Sequence, residues 1–377
     1  MTNIPLVDLS AAHAEVAGEI QIGFQRVIER TAFVGGEEVE EFEREYGAFN
    51  RIPHCIGTAN GTDSLELALR AVGTGPGDEV ILPANTFIAT AEAVARIGAR
   101  VVLVDVRPDS YLIDTGAVAA AVTRRTRAVV PVHLYGQLVP LEELDRRLAG
   151  LDVAVVEDAA QCQGATRFGR HAGAGGIAAT SFYPGKNLGA YGDAGAVLCV
   201  DERLATRVRM LANHGGLAKY QHHVAGCNSR LDALQAVVLR AKLRRLAAGN
   251  AARRAAARRY AELLAGHDVV RPTTLVGNDH VWHLYVVRLP GRGAAARDAV
   301  VAELNSLGIG ASVHYPRPIH RTPAFAGLGY GAGDFPAAEA AAREILSLPI
   351  YPQITRGQQE AVVGALAKAI RSGPVRG

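Results

Sequence analysis

Of the 40 basic residues in this 377-residue chain only four are lysines, Lys186, Lys219, Lys242 and Lys368. Any chemistry that needs an amine nucleophile therefore has four places to look. Cysteine is equally sparse: Cys55, Cys162, Cys199 and Cys227 lie far apart and form no C-x-x-C pair. That spacing excludes a disulfide framework and a zinc site built on paired thiolates, and it suits a reducing compartment; no metal is expected. Charge of one sign is lacking too, since 40 basic against 37 acidic residues leave +3, too little to argue for nucleic acid. The one local excess, between Arg240 and Arg259, alternates with Ala and Leu at helical spacing and reads as a solvated helix face. No apolar run approaches the roughly 18 residues of a membrane helix. The opening Met-Thr-Asn-Ile-Pro-Leu-Val-Asp-Leu lacks the basic-then-apolar order of a signal peptide. A soluble, cytoplasmic protein is expected, with no membrane and no nucleic-acid partner.

What is present is alternation. Short apolar runs at residues 54–59, 79–82, 100–105, 128–133, 154–158, 180–183 and 196–200 are separated by amphipathic stretches such as 64–71, 89–97 and 141–148. Near-continuous apolar strands between helices predict an α/β fold, with a mostly parallel seven-stranded sheet covered on both faces. Pro131 should end its strand or place it at an edge. After Asp201 the pattern turns helical: a long Ala/Arg/Leu stretch at 231–264 carries Gly249-Asn250 as an expected break. A strand at 282–289, a helix at 294–307, a strand at 310–315 and helices at 337–345 and 357–371 follow. The expected division is a large α/β domain with an N-terminal helical segment, residues 1–245, and a small C-terminal α+β domain, residues 246–377.

Three motifs carry chemistry. Gly57-Thr-Ala-Asn-Gly-Thr-Asp-Ser64 sits where a strand hands over to a helix. Gly61 permits a tight turn there, and the free N–H groups of the helix start can cradle a phosphate, with Thr62 adding a hydroxyl. Asp63 is anomalous beside a phosphate dianion, so its backbone N–H is expected to serve rather than its carboxylate. The plain alternative is an N-capped helix. Glu157-Asp158-Ala-Ala-Gln161 lies at the C-terminal end of a strand, where α/β proteins place ligands. Asp158 could pair with a protonated ring nitrogen, making that ring a better electron sink, or could simply cap the next segment. Gln161 could reach a second polar group of the same ligand. In Ser181-Phe-Tyr-Pro-Gly-Lys186-Asn-Leu-Gly, a lysine in a Gly/Pro-flanked turn directly follows a strand. Desolvation there favours the neutral amine that Schiff-base formation needs. Ser181 could bond a phosphate from the same turn. Lys219, Lys242 and Lys368 lie in helical or polar stretches and look like surface residues. Gly73-x-Gly75-x-Gly77 follows no strand and reads as a turn, not a dinucleotide fingerprint.

Taken in order, Asn-Gly-Thr-Asp-Ser-Leu, Pro83-Ala-Asn-Thr-Phe87-Ile-Ala-Thr, Glu-Asp-Ala-Ala-Gln, Ser-Phe-Tyr-Pro-Gly-Lys-Asn-Leu-Gly and Gly226-Cys-Asn-Ser-Arg-Leu-Asp232 resemble the DegT/StrS sugar aminotransferases, a family of fold-type-I pyridoxal-phosphate enzymes. The likeness runs from Pro5-Leu-Val-Asp to Ser347-Leu-Pro-Ile-Tyr-Pro. It implies that Lys186 forms the Schiff base with pyridoxal 5'-phosphate and that Asp158 pairs with the pyridine nitrogen. Gln161 would approach the phenolic oxygen, Thr62, Asp63 and Ser181 would hold the phosphate with Gly61, and Phe87 would stack on the ring. Asn228 matches an asparagine that completes the phosphate site of the partner subunit, so a homodimer with a shared active site is expected. The implied reaction moves an amino group from L-glutamate to a nucleotide-linked keto-sugar. The residues around Tyr183 resemble members acting on 3-keto sugars, and a dTDP-3-keto-6-deoxyhexose is the first expectation. A 4-keto sugar, a pyridoxal-phosphate-dependent sugar dehydration and a non-catalytic regulator are the alternatives. Tyr183, Lys219, Tyr220, His314, Tyr315 and His320 are candidates for the sugar or its diphosphate, against the plainer reading of surface loops and satisfied core histidines.

Overall fold

A computed structural model describes residues 3–372. The chain begins with helices α1 (Leu9–Ala14), α2 (Ala17–Glu29) and α3 (Glu37–Asn50). Alternation then sets in: β1 (His54–Thr58), α4 (Gly61–Ala71), β2 (Glu79–Pro83), α5 (Ile88–Arg96), β3 (Arg100–Val104), α6 (Thr115–Ala121), β4 (Thr126–Val129), α7 (Leu141–Leu148) and β5 (Ala154–Asp158). A two-residue strand β6 (Thr166–Arg167) precedes β7 (Ile177–Ser181), β8 (Gly195–Cys199) and α8 (Glu202–Ala212). Side chains start several of these helices: Asp8, Asn60, Asp114 and Asp201 each accept backbone N–H groups of the first turn.

The seven-stranded sheet has the order β1-β8-β7-β5-β4-β2-β3. Its ladders are parallel from β3 across to β7, whereas β8 runs antiparallel to both β7 and β1. Strands β2 and β8 are buried at every position, as a sheet covered on both faces requires. Leu67, Leu69, Val80, Leu82, Val94 and Val197 fill one side, and Ile81, Leu112, Ile113, Val129 and Leu144 the other. The C-terminal ends of β1, β2, β5 and β7 open on one edge, where Asn60, Phe87, Asp158 and Ser181 follow or close them.

The 31-residue helix α9 (Ala233–Leu263) packs against α2 and α3. Beyond it come β9 (Asn278–Asp279), which pairs with β6, then β10 (Tyr285–Arg288), α10 (Gly293–Ser306), α11 (Pro336–Glu344), β11 (Ile345–Leu348) and α12 (Arg356–Ser372). Strands β10 and β11 form an antiparallel pair, and a separate apolar cluster including Tyr260, Tyr285, Leu304, Leu348 and Leu366 surrounds it.

Four expectations are corrected. Helix α9 runs unbroken through Gly249-Asn250, and the Asn250 amide donates outward to the Gln163 carbonyl at 2.9 Å, tying the helix to the large sheet's loops. Residues 310–315 form no strand; Ser312 makes a single bridge to Ser347. Strand β4 covers Thr126–Val129 instead of 128–133, ending ahead of Pro131 as expected of that proline, and β7 starts at Ile177, ahead of the expected 180–183. The basic face of α9 is not merely solvated: Arg240 pairs with Glu38 and Glu45, Arg244 and Arg245 with Glu19, and buried Arg253 donates to the Ile350 carbonyl at 2.8 Å. Among the described residues no helix is long and apolar enough to cross a membrane, and no group of three or more His, Cys, Asp or Glu could hold a metal ion.

Candidate active site

Asp158 closes β5 and is buried. Burial raises its carboxyl above the ordinary range, opposed by the Thr90 hydroxyl, the Ala160 N–H and the Lys186 charge. Thr90 donates to Oδ2 at 2.8 Å, and Ala160 N–H donates to Oδ1 at 3.1 Å. The carboxylate therefore does cap the following turn, yet among the described residues only neutral groups hydrogen-bond to its oxygens.

Lys186 follows β7 in a turn closed by its own N–H, which donates to the Tyr183 carbonyl at 2.8 Å. Burial brings its ammonium down from 10.5 to about 8, with the Asp158 charge acting the other way. A useful fraction of neutral amine thus exists near neutral pH. The turn is braced from behind. Asn187 donates to Asn250 Oδ1 at 2.9 Å and to the Val281 carbonyl at 3.0 Å, and Lys242 donates to the Gly189 carbonyl at 2.7 Å. Lys242 is thus not the surface residue expected of it; burial lowers its ammonium to about 8. Lys219 and Lys368 are exposed as expected.

The start of α4 lies against the end of β7. A Cβ on Gly61 would stand 2.5 Å from the Ser181 Cβ, so only glycine lets the two backbones come this close. Gly61 and Thr62 supply the first N–H groups of the helix, which have no intrahelical acceptor. The expectation for Asp63 is corrected: its N–H donates to Asn60 Oδ1 at 2.8 Å, while its carboxylate pairs with Arg96 at 3.0 Å. Both are thereby engaged, and the repulsive charge is drawn to Arg96, which also pairs with Glu66. Ser181 Oγ accepts the Tyr183 N–H at 3.3 Å, and Gln163 donates to the Ser181 carbonyl at 2.8 Å.

Gln161 is buried; its Oε1 accepts the Tyr135 N–H at 2.7 Å and its Nε2 donates to the Tyr315 hydroxyl at 3.0 Å. The Phe87 ring, 53% exposed, lies 5.6 Å from the Tyr315 ring. His314 shares a 2.8 Å hydrogen bond with Ser347 Oγ, and burial together with the Lys186 charge lowers its imidazole to about 4. Tyr183, at the head of the lysine turn, is exposed. Lys186, Asp158, Gln161, Phe87, Tyr315 and His314 thus gather around the sheet's C-terminal edge, with Gly61, Thr62 and Ser181 beside them.

Three candidates stand apart. Lys219 and Tyr220 are exposed, the ammonium 5.1 Å from the ring centre, on the segment that also carries exposed Asn228. Among the described residues no hydrogen bond ties that segment to Lys186, Asp158 or Gly61. His320 is corrected to a core histidine: it is buried, shares a 3.0 Å contact with Glu339 Oε1, and packs edge-on against Phe335.

Sequence reasoning passed over Thr86, Thr90, His133, Glu157 and His283. Buried His133 accepts the Val139 N–H at Nδ1, so its Nε2 carries the proton toward Glu157 Oε2 at 2.8 Å, and Gly173 N–H donates to Oε1. His283 lies 3.3 Å from Asn187 Oδ1, and burial first, then the Lys186 charge, holds it well below the ordinary imidazole range. The Thr86-x-x-x-Thr90 spacing around Phe87 was the available signal for the threonines.

Residues 15–367 match the DegT/DnrJ/EryC1/StrS aminotransferase family. The chain is 44% identical over 365 residues to a dTDP-3-amino-3,4,6-trideoxy-alpha-D-glucose transaminase of Streptomyces venezuelae, covering 96% of this chain and 95% of that one. It is 43% identical over 373 residues to a pleiotropic regulatory protein of Geobacillus stearothermophilus, covering 98% and 99%. Among solved structures, S. venezuelae DesV in complex with a ketimine intermediate superposes with a TM-score of 0.94 at 44% identity, over 98% of each chain.

Proposed function

The chain belongs to the DegT/DnrJ/EryC1/StrS aminotransferase family, and from that premise we propose that it carries the amino group of L-glutamate to a nucleotide-linked keto-sugar, a dTDP-3-keto-6-deoxyhexose before others, in amino-sugar biosynthesis. It is an enzyme, a sugar aminotransferase of the pyridoxal-phosphate-dependent kind. The 3-keto sugar is supported by relatives named as transaminases of dTDP-3-amino sugars, at 40–44% identity. A GDP-perosamine synthase is a more distant relative at 34%.

The side chains present fit pyridoxal 5'-phosphate. The observation that carries the reading is the meeting of a lysine brought down to about 8 and a buried carboxylate bonded, among the described residues, by neutral donors alone, beside a helix start opened by Gly61. When bound, the cofactor supplies a carbonyl to receive the amino group and a ring to draw off the electron pair released at carbon. In the proposed roles, Lys186 provides the amine that holds the cofactor. Its freed amine would then take the proton off the donor's α-carbon as base and, as acid, deliver it to the carbon that was the cofactor's carbonyl. Asp158 keeps the ring nitrogen protonated. Gly61, Thr62 and Ser181 hold the phosphate, Gln161 faces the phenolic oxygen, and Phe87 covers the ring. His314, Tyr315 and the exposed Tyr183 are assigned in this proposal to the sugar.

A homodimer belongs to the same proposal. Ile22, Phe33, Val34, Leu217 and Tyr220 are large apolar side chains exposed in the single chain, as is the Asn228 offered to a partner's phosphate site. The division into residues 1–245 and 246–377 falls inside α9, which packs on α2 and α3 and also against α12.

The test is the visible absorption of the purified protein with pyridoxal 5'-phosphate. The band is expected to fade on adding L-glutamate and to return with a dTDP-3-keto-6-deoxyhexose but not with its 4-keto isomer. Lys186→Ala should lack the band. A return of colour with the 4-keto sugar alone would refute the assignment of the ketone, and a band indifferent to glutamate would refute the donor.

A further inference from the structure

Behind Asp158 lies a short chain of hydroxyls that none of the proposed roles uses. Thr86 and Thr90 flank Phe87 at the entry of α5; Thr90 sits one helical turn after Thr86, and their Oγ atoms are 2.9 Å apart. Both are buried, at 2% and 1% exposure. A threonine hydroxyl has one proton to give. Thr90 spends its proton on Asp158 Oδ2 at 2.8 Å, so its contact with Thr86 is satisfied only if Thr86 is the donor. The chain then has one direction, Thr86 to Thr90 to carboxylate, and each bond polarises the next toward the negative charge.

We propose that Thr90 is a positioning residue for Asp158, and that Thr86 sets the direction of its hydroxyl. Together they hold the buried carboxylate ionised and aimed so that it keeps the cofactor's ring nitrogen protonated. This rests on the reading of Asp158 as the partner of that nitrogen. The physical need is plain: a buried carboxylate is driven toward its neutral form. A neutral Asp158 would leave the ring uncharged and a poorer electron sink. Replacing the Thr90 hydroxyl by a methyl removes a hydrogen bond to a charged acceptor with little change of volume. The proton shared between ring and carboxylate should then move toward the carboxylate.

The experiment reconstitutes the apoprotein with pyridoxal 5'-phosphate carrying nitrogen-15 in the ring. The nitrogen resonance is read by NMR in the wild type, Thr90→Val, Thr90→Ser and Thr86→Val. The wild type and Thr90→Ser should show the protonated ring, Thr90→Val a resonance displaced toward neutral pyridine, and Thr86→Val an intermediate position. The glutamate half-reaction should slow roughly ten- to a hundredfold in Thr90→Val, as for loss of a hydrogen bond to a charged group, and recover to within a few-fold in Thr90→Ser. A protonated ring in Thr90→Val, like that of the wild type, overturns the proposal. If Thr90→Val does not fold, Thr86→Val decides, since it leaves the Thr90 hydroxyl in place, and an unshifted resonance there overturns the relay. A wild-type ring already neutral overturns the reading of Asp158 itself, and the relay with it.

Discussion

Gly61→Ala separates two opposed effects whose sizes can be set from the structure. In the middle of a helix, alanine in place of glycine ordinarily stabilises by about 0.5–1 kcal/mol, which is an upper bound for a first-turn position such as 61. At position 61, however, the new Cβ would stand 2.5 Å from Ser181 Cβ and 3.1 Å from Ser181 Cα. Carbon atoms at rest lie about 3.5–4.0 Å apart, so the first contact overlaps by roughly 1 Å or more. Neither partner is the free end of a long side chain: Ser181 ends β7, and Gly61 opens α4. The strain must be taken up by backbone movement, and overpacking of this kind costs about 1–3 kcal/mol. The clash therefore offsets or exceeds the gain, with a net loss of up to about 2.5 kcal/mol, and the displaced helix start should weaken cofactor binding roughly tenfold. Gly364→Ala is the matched control, because Gly364 lies in α12 with nothing within 4 Å of its Cβ position; it should gain stability. Urea midpoints of the three apoproteins, followed by titration with pyridoxal 5'-phosphate, measure both effects. If Gly61→Ala rises in stability alongside Gly364→Ala and binds the cofactor as the wild type does, the close approach at Ser181 is not what shapes the site.

Four more predictions concern charge. Because burial lowers Lys186 to about 8, the rate at which added pyridoxal 5'-phosphate forms its visible band should climb with pH through about 8 and then flatten. A climb continuing toward the usual lysine range near 10.4 would contradict this. By linkage, the apoprotein should gain stability from about pH 8 upward, where the folded amine has lost a proton the unfolded chain still binds, and Lys186→Met should reduce that gain. At the acid side, burial lowers His280 to about 3 and His314 to about 4. Their stabilising effect is present above the ordinary value of 6.5 and is lost as pH falls from there toward 4. Urea midpoints should drop across that window; a flat profile is the contrary result. Finally, Arg96→Ala should weaken cofactor binding roughly three- to tenfold by freeing the Asp63 carboxylate to repel phosphate, and Asp63→Asn in the same chain should restore it. Unchanged affinity in Arg96→Ala would show that the carboxylate never faces the phosphate.

The lysine turn was legible because its parts are contiguous: a buried strand, Pro184, Gly185 and Lys186 follow one another. Asp158 and Gln161 were legible for the same reason, as the end of a strand. Strand direction was not. Strands β2 and β8 are buried at every position, so apolar runs alike in sequence lie parallel in one case and antiparallel in the other. Contacts between neighbouring strands were equally hidden. His133 and Glu157 meet across the ends of adjacent β4 and β5, an adjacency no periodicity encodes. Lys242 was misread because its basic, helical surroundings look solvated, whereas its amine is spent on a carbonyl of the turn that carries Lys186. Asn250 was misread as a breaker because its side chain, pairing with Asn187 and Gln163, acts outside the helix.

The antiparallel strand β8 is also what the site is built around. In the register of the sheet, Gly195 at the start of β8 stands between Thr58, the last residue of β1, and Ser181, the last of β7. Helix α4, leaving β1, must therefore cross over the first residue of β8 to bring Gly61 against Ser181. A Cβ on Gly195 would lie 2.5 Å from both the Asn60 carbonyl and Ser64 Oγ, in the path of that crossing. Two glycines, one on the helix and one on the strand beneath it, thus join segments 120 residues apart into one cradle (181 − 61 = 120). Ser64 secures the crossing from below: it shares a 2.6 Å hydrogen bond with Thr58 Oγ1 and lies 3.2 Å from the Thr180 carbonyl. With β8 parallel instead, its C-terminal end would occupy this edge, and the following chain would leave upward through the space that α4 now crosses. The reversal of one strand is what lets a helix start, a serine and the lysine turn share one edge of the sheet.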